Sequence, residues 1–258
     1  MRDAIRFSLP LTKQMQSFLQ LRDGLVCLQR AEAEGNVPAW LQASVDLRAS
    51  LLGDQGRKPA IAELLSLFSS LRAYLQPLAE KHHHFSSAIA KACHDIDMHV
   101  ASIEGGLDEA IHFLRKDAVI NVYHNGLQKQ DWLVHRPCMP QMMPVLGHAD
   151  AERRRILTAL LQPLINAVSG LDNMLHDFVE WTPRIAHGGS DQIIPDRGSN
   201  YGLLVVGLEQ DVVKQGIVPD IAGNRFSIQL RFQRWPSGDS ACVVNEDVPY
   251  SMMLVPCA

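Results

Sequence analysis

The sequence predicts an α+β protein, in which a mainly helical domain packs with a small antiparallel β domain that the N-terminal strand joins. Apolar and polar residues alternate at the start of the chain and again beyond residue 200, which is the period of a half-buried strand. Between these regions, apolar residues recur every three or four positions, as on the buried face of a helix. We therefore assign residues 10–184 to the helical domain, and residues 1–9 with 185–258 to the β domain.

The composition favours a cytoplasmic protein. Hydrophobic residues make up 47% of the 258 residues, so a core can form without metal or disulfide support. The five cysteines are scattered and form no C-x-x-C pair, which argues against a disulfide framework or a zinc ribbon. The charged start of the chain is unlike a signal peptide, and no run of about 20 apolar residues predicts membrane insertion. A net charge of −4 does not favour nucleic-acid binding.

The N-terminal half begins with a strand and continues as helices. Residues 5–9 alternate and end at Pro10, after which Thr12 is suited to cap a helix by accepting hydrogen bonds from its first turn. Pro38 and Pro59 suit the first turns of two further helices, the first of which ends at Gly53.

The middle of the chain is less regular. A sparse helical pattern covers about residues 80–99, and a second stripe starts at Leu107 and continues past Asp117. Beyond it, Asn125-Gly126 is a turn signal, and three prolines follow. Because proline breaks a continuous helix, we predict an irregular segment over residues 125–147; its prolines are Pro137, Pro140 and Pro144.

The C-terminal half changes from helix to strand. Apolar residues step by three or four between residues 149 and 181, and Pro163 divides them into two predicted helices. Thr182-Pro183 is expected to end the helices and to begin a polar connector rich in glycine and proline. Beyond it, four short alternating runs predict strands, with which the N-terminal strand is expected to pair; these runs are residues 203–208, 226–232, 242–244 and 248–255.

Histidine-rich residues offer one candidate for catalysis. His82, His83 and His84 precede Cys93, His94 and His99, so a metal-dependent enzyme using the His82–His99 region is an alternative interpretation. Consecutive histidines point in different directions around a helix, however, and no H-x-x-x-H or H-E-x-x-H spacing occurs. Nucleophile turns and glycine-rich phosphate loops are also absent from the sequence. We therefore expect no catalytic residues, no metal and no cofactor.

Two other features are candidates for protein contact. The run from Arg153 to Arg155 opens a helix, where it is either a solvated helix start or a docking surface for an acidic partner. The methionines of the proline-rich Pro137–Pro144 segment and its neighbourhood are either an adaptable contact surface, to which Arg136 adds charge, or part of the core. A nucleic-acid-binding regulator that uses the basic clusters is a further alternative, although no helix-turn-helix is evident.

Five stretches together resemble the ZapD family of bacterial cell-division proteins, which associate with the Z-ring and bind FtsZ. They occur in the family's order and at similar spacing, and they are Phe7-Ser8-Leu9-Pro10-Leu11, Phe113-Leu114-Arg115-Lys116-Asp117, Gln162-Pro163-Leu164, Val218–Ile228 with Arg231-Phe232, and Asp247-Val248-Pro249-Tyr250. The sequence departs from the family pattern at Gln20 and at Ala118, where arginine is frequent in other members.

The resemblance implies a non-enzymatic homodimer. Such a protein would bind the C-terminal tail of FtsZ at the mid-cell division site, bundle FtsZ filaments and promote Z-ring assembly and septum formation. We expect basic side chains to make the contacts, and the candidates are Arg22, Arg115, Lys116, Arg136, Arg153, Arg225 and Arg231.

Overall fold

The computed structural model describes residues 4–53, 59–81, 86–129, 143–177, 179–196, 200–235 and 242–256. The α+β class is confirmed, with helices preceding two antiparallel sheets. The chain divides into two compact units: a helical unit, Ser17–Asp172, and a β unit, Met1–Gln16 with Asn173–Ala258.

The helices are α1 (Lys13–Ala33), α2 (Val37–Leu52), α3 (Ala60–Lys81), α4 (Ser86–Gly106), α5 (Asp108–Lys116), α6 (Ala118–Gln128), α7 (Met143–His148), α8 (Ala151–Leu160), α9 (Gln162–Asp177) and α10 (Gln210–Lys214). The strands are β1 (Ile5–Pro10), β2 (Thr182–Ala186), β3 (Ser190–Ile193), β4 (Tyr201–Leu208), β5 (Ile217–Asn224), β6 (Ser227–Arg234), β7 (Cys242–Val243) and β8 (Val248–Pro256). None of the helices among the described residues is long and apolar enough to cross a membrane.

Short polar side chains and glycine set the ends of the first helices. The backbone N–H of Met15 donates to Thr12 Oγ1 at 3.3 Å, which confirms the predicted cap. Asn36 caps α2 by accepting from Ala39 N at 3.2 Å. At the other end of α2, Gly53 adopts a φ of 70°, the left-handed conformation that glycine takes without steric cost.

The core of the helical unit is apolar. α3 packs against α4, and α2 packs against α3, α5 and α6. The largest fully buried side chains in this unit are Trp40, Phe18, Phe68, Leu21, Leu28, Leu41, Leu47, Leu64, Leu75 and Ile96. The predicted pair of helices divided near Pro163 is confirmed by α8 and α9.

One helical stripe is interrupted where the sequence predicted continuity. The chain turns at Asp117, whose φ of −59° and ψ of 125° lie outside the helical region. Its Oδ1 accepts hydrogen bonds from Val119 N and Ile120 N, each at 2.9 Å. Aspartate competes for backbone donors in this way, so it begins α6 instead of continuing α5.

The predicted irregular segment 125–147 is wrong at both of its ends. Asn125 and Gly126 continue α6, because Gly126 is buried on the same face as Tyr123 and packing outweighs the turn signal. Pro144 lies in the first turn of α7, where a missing N–H removes no helical hydrogen bond. Residues 130–142, which include Pro137, Pro140 and the candidate Arg136, lie outside the described residues.

The β unit contains two four-stranded sheets. The first has the strand order β1-β4-β8-β2, and the second has the order β3-β6-β5, with β7 also paired to β6. β1 pairs antiparallel with β4, so that Phe7 lies opposite Val206, and the N-terminal strand does join the C-terminal strands as predicted. The inner faces of both sheets share one core, which contains Leu204, Val206, Leu208, Ile228, Leu230, Phe232, Val248, Tyr250 and Met252.

Part of the expected connector forms strands instead. β2 and β3 flank a tight turn and pair with β8 and β6, respectively. β5, which the alternation did not reveal, pairs along its length with β6 and contains Pro219. Both β2 and β5 are edge strands, in which proline is tolerated because one side needs no backbone donor. Such strands form because neighbouring strands supply hydrogen bonds to their backbone. The alternation of apolar and polar residues within the strand itself does not reveal these partners.

Candidate partner-binding site

Two of the candidate contacts, Arg115 and Lys116, form the last turn of α5. Both residues are exposed, and both are cations at a helix C-terminus, where the helix dipole favours positive charge. Because Asp117 turns the chain directly after them, their side chains stand at the corner between α5 and α6.

A third candidate, Arg153, is brought to the same corner by an ion pair. Its Nη1 lies 3.0 Å from Asp117 Oδ2, and the Asp117 side chain is only 7% exposed. The Arg153 backbone N–H also donates to Asp150 Oδ1 at 2.8 Å, which caps the start of α8. We name Arg115, Lys116 and Arg153 the basic corner, because the fold places all three around Asp117.

Arg48 supports the basic corner from α2. Its Nη1 donates to Asn121 Oδ1, and Asn121 Nδ2 donates in turn to the carbonyl oxygen of Arg115 at 3.0 Å. Arg48 Nε is buried without a partner among the described residues. In the sequence, Arg48 stands out only as the single cation of α2, two positions after Asp46.

The two other arginines of the basic run behave differently from each other. Arg154 is partly buried, and its Nη1 donates to the carbonyl oxygen of Ala149. Arg155 is exposed. The run that looked uniform in sequence therefore contains one ion-paired, one backbone-bound and one exposed arginine.

Arg22 lies elsewhere on the helical unit and is tied to acidic neighbours. Its guanidinium lies 3.0 Å from Asp172 on α9 and 2.9 Å from Asp23. Burial lowers the pKa of Arg22, but the hydrogen bonds and charges of Asp172 and Asp23 outweigh it and raise the pKa above its ordinary value. The ion pair between Arg22 and Asp172 joins α1 to α9, and this gives Arg22 a structural role.

The remaining described candidates belong to the β unit. Arg225 is exposed at the β5–β6 turn, with its guanidinium carbon 4.8 Å from the centre of the Phe226 ring. Arg231 is exposed on β6, opposite Asp220 on β5. Neither residue is part of the basic corner.

The histidine-rich region provides no metal site within the described ranges. No group of three or more His, Cys, Asp or Glu side chains among them could hold an ion. His99 stacks on Phe68, with ring centroids 6.0 Å apart. His82, His83 and His84 lie outside the described residues.

The β unit contains a polar network that the sequence did not reveal. Arg184 on β2 binds Asp191 on β3 through two hydrogen bonds, Nε to Oδ2 at 2.8 Å and Nη2 to Oδ1 at 3.1 Å. Tyr250 on β8 donates its hydroxyl to Asp191 Oδ2 at 2.6 Å. Asp191 thus connects the two sheets, because β2 and β8 belong to the first sheet and β3 to the second.

This network should make the stability of the protein depend on pH in the acid range. Burial alone would raise the pKa of Asp191, but hydrogen bonds from Tyr250 and Arg184 outweigh it and hold the pKa below its ordinary value. A lowered folded-state pKa stabilises the protein above the unfolded-state pKa of about 3.9, and this contribution disappears as pH falls through the folded-state value.

We expect Asp191→Asn to lower the free energy of unfolding at pH 7 by roughly 1–3 kcal/mol, because it removes charge-assisted hydrogen bonds. The difference from the natural protein should shrink as the pH falls below about 4. Urea unfolding at several pH values measures both effects. Asp220→Asn, at an exposed position on β5, is the control; a difference for Asp191→Asn that did not change with pH would contradict the assigned network.

The sequence matches no known family model and no curated protein. A functional assignment therefore depends on the motifs of the chain and on the geometry of the basic corner.

Proposed function

We propose that the protein is a non-enzymatic cell-division factor that binds the C-terminal tail of FtsZ. It acts at mid-cell in the cytoplasm, where it cross-links and bundles FtsZ filaments and so promotes Z-ring assembly and septum formation. The observation that carries the proposal is the basic corner, which joins Arg115 and Lys116 of the ZapD-like motif to Arg153 from a distant part of the sequence.

The chemistry of the basic corner suits a carboxylate-bearing peptide. Arg115 and Lys116 are exposed, and neither side chain forms an ion pair with any described residue. Arginine can bind a carboxylate through two parallel N–H donors, whereas lysine provides a compact charge. Exposed charges are screened over about 8 Å at physiological ionic strength, so binding should weaken as salt increases.

Arg153 has a supporting role in this proposal. Its charge is already balanced by Asp117, whose carboxylate also caps α6. The ion pair holds the start of α8 beside the end of α5, which carries the two exposed cations. Arg115 and Lys116 are therefore expected to contribute most of the binding energy.

Bundling requires two tail-binding surfaces in one particle, and a homodimer provides them. Once one tail is bound, the second site experiences a raised effective concentration of filament, so each contact can be weak. A symmetric dimer presents two equivalent basic corners without any further sequence feature.

Charge reversal at the corner tests this function. We expect Arg115→Glu with Lys116→Glu to weaken binding of the isolated FtsZ tail peptide by about tenfold or more at low salt, equivalent to about 1.4 kcal/mol. The same variant should lose bundling of FtsZ with GTP, as measured by pelleting and light scattering. The variant should remain folded, with a loss of only about 1–2 kcal/mol in the free energy of unfolding, because both side chains are exposed and lose only a favourable interaction with the helix dipole.

A matched variant separates local from general charge effects. Lys91→Glu with Lys129→Glu makes the same change of net charge at exposed positions on the helical unit, and it should keep binding and bundling. Equal losses of binding in the two double variants would show that the basic corner is not the tail-binding site. A folded dimer of the natural protein that left FtsZ filaments unbundled at low salt would refute the function itself.

A further inference from the structure

One face of the first sheet carries exposed apolar side chains. Pro183 and Ile185 on β2 and Pro249 on β8 are all exposed, and Ile185 is 52% accessible. Ile185 lies directly opposite Pro249 in the pairing of these strands. Because successive residues of a strand point to opposite faces, the three side chains face away from the core that contains Tyr250. We name Pro183, Ile185 and Pro249 the apolar patch.

Two unpaired charges of opposite sign share this face. Glu209 lines the same cleft as the apolar patch, is exposed, and forms no ion pair with any described residue. Arg6 on β1 is also exposed and has no ion-pair partner in the described part of the chain. Arg6 lies opposite Gly207 on β4, and Glu209 follows Gly207 by two positions in an extended conformation. The two charged side chains are therefore diagonal neighbours on the outward face of the sheet.

Arg6 stacks on an aromatic ring instead of pairing with Glu209. Its guanidinium carbon is 5.9 Å from the centre of the Trp181 ring, within the range of a cation–π contact. Gly207 leaves room for this ring, because a Cβ atom there would lie 3.0 Å from Cζ3 of Trp181. A stacked guanidinium keeps its charge and its N–H donors, so Arg6 can still bind a carboxylate of another molecule.

The charges of this face do not select a partner of either sign. Arg184 is neutralised by Asp191, and Asp211 is held in an ion pair within α10. The remaining charges, on Arg6 and Glu209, are equal and opposite. An acidic or a basic partner would gain at one of them and lose at the other, whereas a partner that itself presents one cation and one anion can satisfy both.

We propose that this face binds a second copy of the chain around a two-fold axis. The apolar patches of the two copies are in contact, and Arg6 of each copy binds Glu209 of the other. The same surface meets itself in such a dimer, so each charge pair occurs twice. Burial of the apolar patch provides affinity, and the charge pairs fix the orientation. The choice of a second copy rests on the proposed function, because bundling requires two tail-binding surfaces in one particle.

Complementary charge reversals in the full chain test this dimer. Arg6→Glu leaves acids at both positions and Glu209→Arg leaves cations at both, so each variant should repel its own copies. We expect sedimentation velocity to give each variant a dimer dissociation constant about tenfold or more above that of the natural protein. An equimolar mixture of the two variants should form heterodimers with a dissociation constant within about threefold of the natural value, because both charge pairs are again opposite.

Further variants examine the apolar patch and general charge effects. Ile185→Ser should raise the dimer dissociation constant by about tenfold, because it removes apolar area from the contact. Asp220→Arg and Arg155→Glu make the same changes of net charge at exposed positions elsewhere, and both should keep the dimer. Circular dichroism shows whether each variant is folded. If a charge reversal prevents folding, Arg6→Gln and Glu209→Gln give the same test with a smaller expected loss of about threefold.

Three results would overturn the inference: a natural protein that is monomeric at every concentration, charge variants that dimerise as well as the natural protein, or a mixture that dimerises no better than its components. These measurements contain no FtsZ, so they are independent of tail binding. Bundling of FtsZ by a protein whose dimer is unaffected by the variants would reject this interface alone. A dimer that behaves as expected but does not bundle FtsZ would reject the proposed function alone.

Discussion

Replacing Gly189 by alanine is expected to lower the free energy of unfolding by about 2–5 kcal/mol. This value combines about 1–2 kcal/mol for placing an L side chain in the left-handed region with about 1–3 kcal/mol for inserting it into a packed site. Gly189 has a φ of +71°, and a Cβ atom there would lie 2.0 Å from the carbonyl oxygen of Val244. No side-chain movement relieves that contact, because the obstructing atom belongs to the backbone.

The position of Gly189 explains why the effect should extend through the β unit. Its N–H donates to Ala186 O at 3.2 Å in the turn between β2 and β3, and its carbonyl accepts from Phe232 N at 2.8 Å. Phe232 is fully buried in the core between the sheets. Moving Gly189 aside would therefore disturb both the turn and the pairing of β3 with β6.

The neighbouring Gly188 supplies the control. It also has a positive φ, +57°, but the nearest atom to an added Cβ would be 3.9 Å away. We expect Gly188→Ala to cost only the backbone term of about 1–2 kcal/mol. Urea denaturation of both variants, monitored by circular dichroism, measures the difference between their free energies of unfolding. Similar losses for the two alanine variants would show that the close approach of Val244 is not what requires glycine at position 189.

Asp117→Ala is expected to lower the free energy of unfolding by roughly 2–3 kcal/mol and to impair partner binding as well. Loss of an N-cap costs about 0.5–2 kcal/mol, and Arg153 loses its partner in addition. Arg153 is 30% exposed, so water compensates part of that second loss. Urea unfolding gives the stability, and titration with the FtsZ tail peptide gives the binding affinity.

Asp117→Asn distinguishes the two roles of this carboxylate. Asparagine is as good an N-cap as aspartate, so the cap of α6 should be retained while the charge that holds Arg153 is removed. We expect Asp117→Asn to recover most of the stability but less of the binding. If both variants bound the tail as well as the natural protein does, the arrangement around Asp117 would have no part in partner recognition.

Local chemistry in the sequence was sufficient for several elements. The caps at Thr12 and Gly53 and the division near Pro163 involve interactions within a few residues, so the sequence contains all that is needed to predict them. The helical and strand periods also place β1 and β6 correctly, because a half-buried face repeats at a fixed interval.

Other elements depended on partners that are distant in sequence. β2 and β3 contain Pro183 and polar residues, and they become strands because β8 and β6 satisfy their backbone groups. Gly126 stays helical because it is buried within α6. Aspartate at position 117 is a typical helix N-cap and so could have predicted the break, but the apolar stripe that continues past it favoured a single helix.

The candidate sites divide in the same way. By itself, the sequence determined the α+β class, the joining of the first strand to the last ones, and which side chains carry positive charge. Only the tertiary structure decided that Arg153 pairs with Asp117 next to Lys116, that Arg22 is bound by Asp172, and that Asp191 connects the two sheets. Charge and hydrophobic period can be read from neighbouring residues, whereas ion pairs between distant residues depend on distances between atoms that only folding brings together.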